Sequence, residues 1–371
     1  MDSRYRIADT GSIFTPALVV FREQLEANLD HMIQIAGDVN RLRPHCKTHK
    51  MPEVTKIQLK KGIYKHKCAT LAEAEMLSDA GVQDIILSYN MVGPNIARTV
   101  KFLQKYPKSD LKVLADHARP ISQLGQAMAA AGLNIGVLLD LNVGQNRTGV
   151  LPGPQALELY KLIAKTPGLK PAGFHVYDGN HNQKSVAERE AGVNHEWDKV
   201  IALRDDCVKA GIPVPKLVCG GTGTFPIYSA KSDPTIELSP GTCVFNDAGY
   251  NERYADMPFP PATVLLTRVI SRPAPDLLTL DLGYKAVASD PPAGQRVIFP
   301  DLPDVEQVLQ NEEHLVLRTP LAEKFQPGDE LYALPKHICP TSALHKSVYV
   351  VSHGEVVGQW EVTGRDRCIT V

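Results

Sequence analysis

No stretch of this 371-residue chain is apolar for long enough to suggest a membrane span, and the amino-terminal MDSRYRIADTG has no apolar core of the kind a secretory signal requires. Neither sign of charge predominates. The 40 lysines and arginines stand against 41 aspartates and glutamates, and no basic run is interleaved with aromatic residues, which make up 6% of the chain. The electrostatic footprint of a nucleic-acid binder is therefore missing, and no nucleic-acid or membrane partner is expected. The seven cysteines are odd in number and without paired spacing, which speaks against a disulfide framework and suits reduced thiols in a cytoplasm. Internal repeats and low-complexity tracts are lacking too. What is present is a 43% hydrophobic content at a net charge of -1, enough for two domains with cores of their own.

From about residue 20 to about residue 250, short β-rich runs alternate with amphipathic helical runs. The runs Val39–Cys46, Tyr64–Cys68, Asp84–Ser88, Leu111–Ala115, Ile135–Leu141, Pro171–Val176, Val214–Cys219 and Thr235–Leu238 read as strands, the number that closes a parallel (β/α)8 barrel of TIM type. Thr70-Leu71-Ala72-Glu73 has capping-box spacing with Gly81 placed to stop its helix, and Pro52 suits a first turn. Beyond Pro258-Phe259-Pro260-Pro261 the helical period disappears. Seven runs between Thr263 and Val362 then read as strands joined by Pro/Gly-rich turns. The expectation is an α/β chain: a barrel over 1–257, its first 20 or so residues free to pack elsewhere, then a mainly antiparallel β-domain over 258–371.

In such a barrel the chemistry sits on loops at the carboxyl ends of the strands. Lys47 follows the first strand within Arg43-Pro44-His45-Cys46-Lys47-Thr48-His49-Lys50, where Arg43, His45, His49 and Lys50 could help to lower the pKa of a Schiff-base amine. Asn146-Arg147-Thr148-Gly149 follows the fifth strand and Tyr177-Asp178-Gly179-Asn180-His181 the sixth. After the seventh and eighth come Gly220-Gly221-Thr222-Gly223-Thr224 and Pro240-Gly241-Thr242, glycine-rich turns beside small hydroxyls where backbone amides can converge on a phosphate. A lysine facing a phosphate cradle implies pyridoxal phosphate.

These motifs, with His337-Ile338-Cys339-Pro340-Thr341 near the carboxyl terminus, resemble those of the D-threonine aldolase and D-serine dehydratase family of alanine-racemase-like pyridoxal phosphate enzymes, over nearly the whole chain. The resemblance implies a barrel followed by a β-domain, usually assembled as a homodimer. It also implies roles. Lys47 would hold the cofactor and serve as a proton-transfer base, Arg147 would contact its phenolic oxygen, and Tyr177 would lie against its ring. Gly221, Thr222, Gly223, Gly241 and Thr242 would bind its phosphate. Ser239 stands where relatives of the fold place a carboxylate or an arginine against the pyridine nitrogen. A neutral partner there does not enforce a pyridinium, so part of the charge stabilisation would fall to a metal.

His337 and Cys339 are the metal candidates: in an extended segment, residues i and i+2 share a face. Zinc, manganese or magnesium there would act on a β-hydroxyl. By the same resemblance Cys339 leans toward a dehydratase, while Pro340-Thr341, Ala343-Leu344-His345 and Asp281–Asp290 lean toward an aldolase. A D-threonine aldolase type of lyase on a β-hydroxy-D-amino acid is ranked first. Dehydration of D-serine or 3-hydroxy-D-aspartate is the alternative, ahead of a racemase and a non-catalytic cofactor carrier. His181 is the candidate base for the β-hydroxyl, with His45, His49 and His345 behind it.

Overall fold

A computed structural model describes Asp2–Val371, and its contacts divide the chain into two compact units. One comprises Ile33–Lys47, Pro52–Gly241 and Asp366–Val371; the other comprises residues 2–32, Thr48–Met51 and Thr242–Arg365.

The first unit is built on seven parallel strands in sequential order: β2 (Lys65–Cys68), β3 (Asp84–Asn90), β4 (Asp110–Ala115), β5 (Ile135–Leu141), β6 (Leu169–Val176), β7 (Leu217–Cys219) and β8 (Ile236–Leu238). Ile86, Leu114, Leu138, Ala172 and Val218, one from each of five strands, cluster in its core. Thr70 caps the helix Leu71–Asp79 by accepting from the Glu73 N–H, and Gly81 follows in a left-handed conformation, φ +101°. Gly173 sits at an irregularity of the β5–β6 register with φ +113°, where an added Cβ would lie 2.0 Å from the Lys216 carbonyl oxygen.

The expected first strand, Val39–Cys46, is not one. Val39–Arg41 is a 3-10 turn, because the Asp38 carboxylate accepts from the Asn40 N–H and fixes a turn instead of an extended chain. Leu42 and His45 then close the barrel through isolated parallel bridges, Leu42 to Leu238 and His45 to Lys67. Single bridges thus take the place of the eighth stave of the cylinder.

Arg43, within this closing segment, is fully buried. Its Nε lies 2.5 Å from Glu237 and its Nη1 2.9 Å from Asp84, while Lys65 and Lys112 reach the same two carboxylates. Burial opposes the charge on Glu237, but Arg43, Lys216 and Lys65 outweigh it and hold its pKa down at about 2.

The second unit is a mainly antiparallel sheet. In it β1 (Ala17–Phe21) runs antiparallel to β9 (Thr263–Ala274) and parallel to β15 (Ser347–Ser352), which pairs with β16 (Glu355–Glu361). On the other side β9 is followed by β10 (Leu277–Leu280), β13 (Leu315–Arg318) and β12 (Glu306–Gln310); β14 (Glu330–Pro335) pairs with β9 and with the short β11 (Val297–Ile298). All five residues of β1 are buried, and Ala17, Val19 and Phe21 pack with Val264, Leu266 and Val351.

Candidate active site

The carboxyl ends of the parallel strands surround a cavity of about 550 Å³ lined by side chains that include Lys47, Lys67, Asp140, Arg147, His175 and Tyr177. Lys47 lies on the one-turn 3-10 helix Cys46–Thr48, directly after the closing segment. Its Nζ is 6.0 Å from the Tyr177 ring centroid, and the Arg147 guanidinium stands 4.9 Å from the same ring. Glycines make room for that ring: a Cβ at Gly179 would lie 2.5 Å from the Tyr177 hydroxyl, and one at Gly221 would lie 3.3 Å from Cε2.

Of the groups expected to tune Lys47, only His45 lines this cavity. The Arg43 charge is spent on Glu237 and Asp84. His49 is buried, its Nδ1 accepts from the Met51 N–H, and desolvation pushes its pKa down to about 3, so it is neutral. Lys50 has φ 55° and its carbonyl accepts from Gly364. Instead the cavity wall carries Lys67, 3.4 Å from His175 Nε2, and His175 Nδ1 lies 2.7 Å from Asp140. Sequence reasoning missed these three. For Asp140 and His175 the signal was a polar residue inside an otherwise apolar barrel strand, VLLDL and GFHV, where an inward charge needs a reason; Lys67, in the polar run KHKC, carried no such signal.

The glycine turns have the donors an anion requires. Gly223 is buried, and its N–H meets no protein acceptor among the described residues. The Gly221 N–H is held by Thr224 Oγ1 at 3.1 Å and that of Gly241 by Thr222 Oγ1 at 3.3 Å, which orders both turns. Ser239 Oγ is buried and has no hydrogen-bond partner among the described residues. His181 does not line the cavity; it lies 3.4 Å from Asn180 Nδ2, and a Cβ at Gly192 would touch its ring. His345 Nε2 is bonded to the Ala286 carbonyl at 2.8 Å.

In the second unit the expected extended His337-Ile338-Cys339 is a helix start. His337 is the extended N-cap residue, and Cys339 belongs to the helix Ile338–Leu344. Pro340 fits this first turn, where it costs no intrahelical donor. The two side chains still meet: burial would lower the His337 pKa, but its hydrogen bond with Cys339 and that with Asp290, 2.6 Å from Nδ1, raise it to about 9. Cys339 Sγ lies 3.2 Å from Thr48 Oγ1 and 3.5 Å from Thr242 Oγ1. A separate cluster, His45, Cys46 and Glu73, brings three potential metal-binding atoms within 4.8 Å, but Glu73 is engaged at its helix terminus, accepting from the Ala69 N–H at 2.6 Å.

Comparison with known proteins agrees with this architecture. The family described as "Alanine racemase, N-terminal domain" matches residues 20–248, and "Putative serine dehydratase domain" matches residues 262–351. The chain is 35% identical to a D-threonine aldolase of Arthrobacter sp over 357 residues, 95% of this chain and 92% of the relative. It belongs to the D-threonine aldolase and D-serine dehydratase family. Other relatives are a 3-hydroxy-D-aspartate aldolase of Paracoccus denitrificans (strain Pd 1222), 27% identical over 97% of this chain and 94% of the relative, and a D-threo-3-hydroxyaspartate dehydratase of Delftia sp. (strain HT23), 27% identical over 94% and 96%. Among solved structures, D-threonine aldolase from Filomicrobium marinum superposes with a TM-score of 0.87 at 31% identity, covering 96% of this chain and 97% of that one. A cysteine-to-alanine mutant of D-threo-3-hydroxyaspartate dehydratase in a metal-free form gives 0.83 at 24% identity, covering 94% and 97%. No helix among the described residues is long and apolar enough to cross a membrane.

Proposed function

We propose that this family member is a pyridoxal phosphate-dependent lyase that, with a divalent metal ion, cleaves β-hydroxy-D-amino acids to glycine and an aldehyde in the manner of a D-threonine aldolase. The observation that carries the reading is the arrangement around Tyr177, with the Lys47 amine 6.0 Å and the Arg147 guanidinium 4.9 Å from its ring. Among the described residues, neither cation meets a carboxylate within ion-pair distance, which suits a ligand that brings its own negative charge. The partnerless Ser239 Oγ and Gly223 N–H fit a ring nitrogen and a phosphate. When bound, the cofactor supplies an electron-withdrawing ring that stabilises negative charge at Cα.

In this reading Lys47 anchors the cofactor and then carries a proton at Nζ, Arg147 donates to the phenolic oxygen, and Tyr177 packs against the ring. Gly221, Thr222, Gly223, Gly241 and Thr242 hold the phosphate. His337 and Cys339 would hold zinc, manganese or magnesium, and a metal suits their donor set of imidazole and sulfur. The Arthrobacter relative supports cleavage of the Cα–Cβ bond. Elimination of water from D-serine or 3-hydroxy-D-aspartate is the second reading, favoured by Cys339, whose soft sulfur suits zinc. The family resemblance supports a homodimer, and seven free cysteines support a cytoplasmic setting.

Purified protein given D-threonine is expected to release glycine and acetaldehyde, and more so with added manganese or zinc. Pyruvate and ammonia from D-serine in its place would establish the second reading. Conversion of the D-amino acid to its Cα epimer that persists after chelation, with neither set of products released, would point to a racemase. A cofactor spectrum unaltered by Lys47→Ala would end the assignment of the anchor.

A further inference from the structure

The cavity holds one cation that the proposed function does not use. Lys67, on β2, is 2% exposed, and its Nζ lies 3.4 Å from His175 Nε2 and 5.9 Å from the Tyr177 ring centroid. His175 is fixed by Asp140 at 2.7 Å, and the carboxylate requires the ring proton on Nδ1. Nε2 is then a lone pair turned toward Lys67. The amine can give it one N–H and has others for the cavity it lines.

Among the described residues no carboxylate stands within ion-pair distance of Lys67, and Asp140 already serves His175. Burial, then the charge of Lys47, presses the Lys67 pKa down to about 7, with Asp140 and Asp178 opposing the change. Three cationic side chains within 6.0 Å of the Tyr177 ring centroid, against one carboxylate, Asp140, in the cavity lining, form a site for an anion. Lys47 and Arg147 have roles with the cofactor; Lys67 is the surplus.

We propose that Lys67 receives a carboxylate of the amino-acid substrate, and so selects substrates by that group. This rests on the lyase reading above. An ammonium held from behind by a fixed imidazole offers a carboxylate charge-assisted hydrogen bonds without having to be ordered on binding. The carboxylate is either the one on Cα or a second one on the side chain, as in a 3-hydroxyaspartate.

The test is calorimetric binding of D-alanine and D-aspartate, which have no β-hydroxyl to react, to the pyridoxal phosphate-loaded protein. Lys67→Met is expected to weaken binding by about 10- to 100-fold, with most of the loss recovered in Lys67→Arg. A loss for both ligands assigns the carboxylate on Cα; a loss for D-aspartate alone assigns the side-chain carboxylate. Unchanged affinity for both overturns the proposal. Lys67→Gln reads the same contact should the methionine variant fail to fold. Wild-type protein that takes up no pyridoxal phosphate sinks the lyase reading and this proposal together; cofactor uptake with no difference between wild type and variants sinks the proposal alone.

Discussion

Asp247 caps two helices at once: one carboxylate oxygen accepts from the Tyr250 N–H and the other from the Ile338 N–H, each at 2.8 Å. The second of these helices begins beside His337, whose side chain makes no cap of its own. Asp247 supplies the missing cap, and the His337 ring stays available to Cys339 and Asp290. Replacing Asp247 by Ala is therefore expected to cost about 2 kcal/mol in denaturant unfolding. Zinc affinity, read by competition with a chromophoric chelator, should fall by about 10- to 100-fold, as for other residues that orient a ligand.

Arg43→Met should be among the most damaging substitutions in the barrel. It leaves Glu237, 2.5 Å from the lost guanidinium, and Asp84 facing a buried apolar side chain. Breaking one side of a buried ion pair costs about 3–5 kcal/mol. The loss is expected as a lower urea midpoint, and Arg43→Met together with Glu237→Gln should recover part of it.

Acid should weaken the same cluster. Burial raises the Glu237 pKa, but Arg43 and its lysine neighbours overcome this and bring it from 4.5 to about 2 in the folded chain. A carboxylate depressed by folding contributes stability that is complete above the unfolded pKa and disappears as pH falls through the folded one. The contribution, on the order of 2–3 kcal/mol, is expected to vanish between pH 4.5 and 2. Urea titrations across that window should show a shallower slope in Glu237→Gln than in wild type.

Ser239→Ala should separate stability from cofactor binding. Its buried hydroxyl has no partner among the described residues, so removing it relieves a desolvation cost of about 1–3 kcal/mol. The cofactor-free variant is expected to melt no lower than wild type. Its affinity for pyridoxal phosphate, measured by fluorescence quenching, should drop by about 2- to 10-fold for the loss of one neutral hydrogen bond.

Periodicity made most of the architecture legible. Seven of the eight barrel strands lie where alternation of apolar and polar runs predicts them, because buried parallel strands are nearly continuous in Val, Ile and Leu. Val39–Cys46 failed because Asp38 turns the backbone before extension can begin. Glu306–Gln310, EQVLQ, escaped notice because no residue in it is fully buried. His337-Ile338-Cys339 reads as strand from its residues, yet its helix is started from outside by Asp247, a constraint 91 positions away that no local pattern carries. The same limit hid Lys67: a lysine in a run with Lys65 and His66 looks like surface until the barrel closes around it.

The bridges that complete the cylinder rest on few main-chain bonds: Arg43 N–H to Leu238, His45 N–H to Pro240 and Lys67 N–H to Pro44. Pro44 has no amide hydrogen, so this joint cannot grow into a continuous ladder. Deuterium should therefore enter the amides of Arg43 and His45 sooner than those in the middle of β5. Lys47, the proposed anchor, thus follows directly on a seam stitched by single bridges, while the neighbouring staves are held in register by ladders of their own.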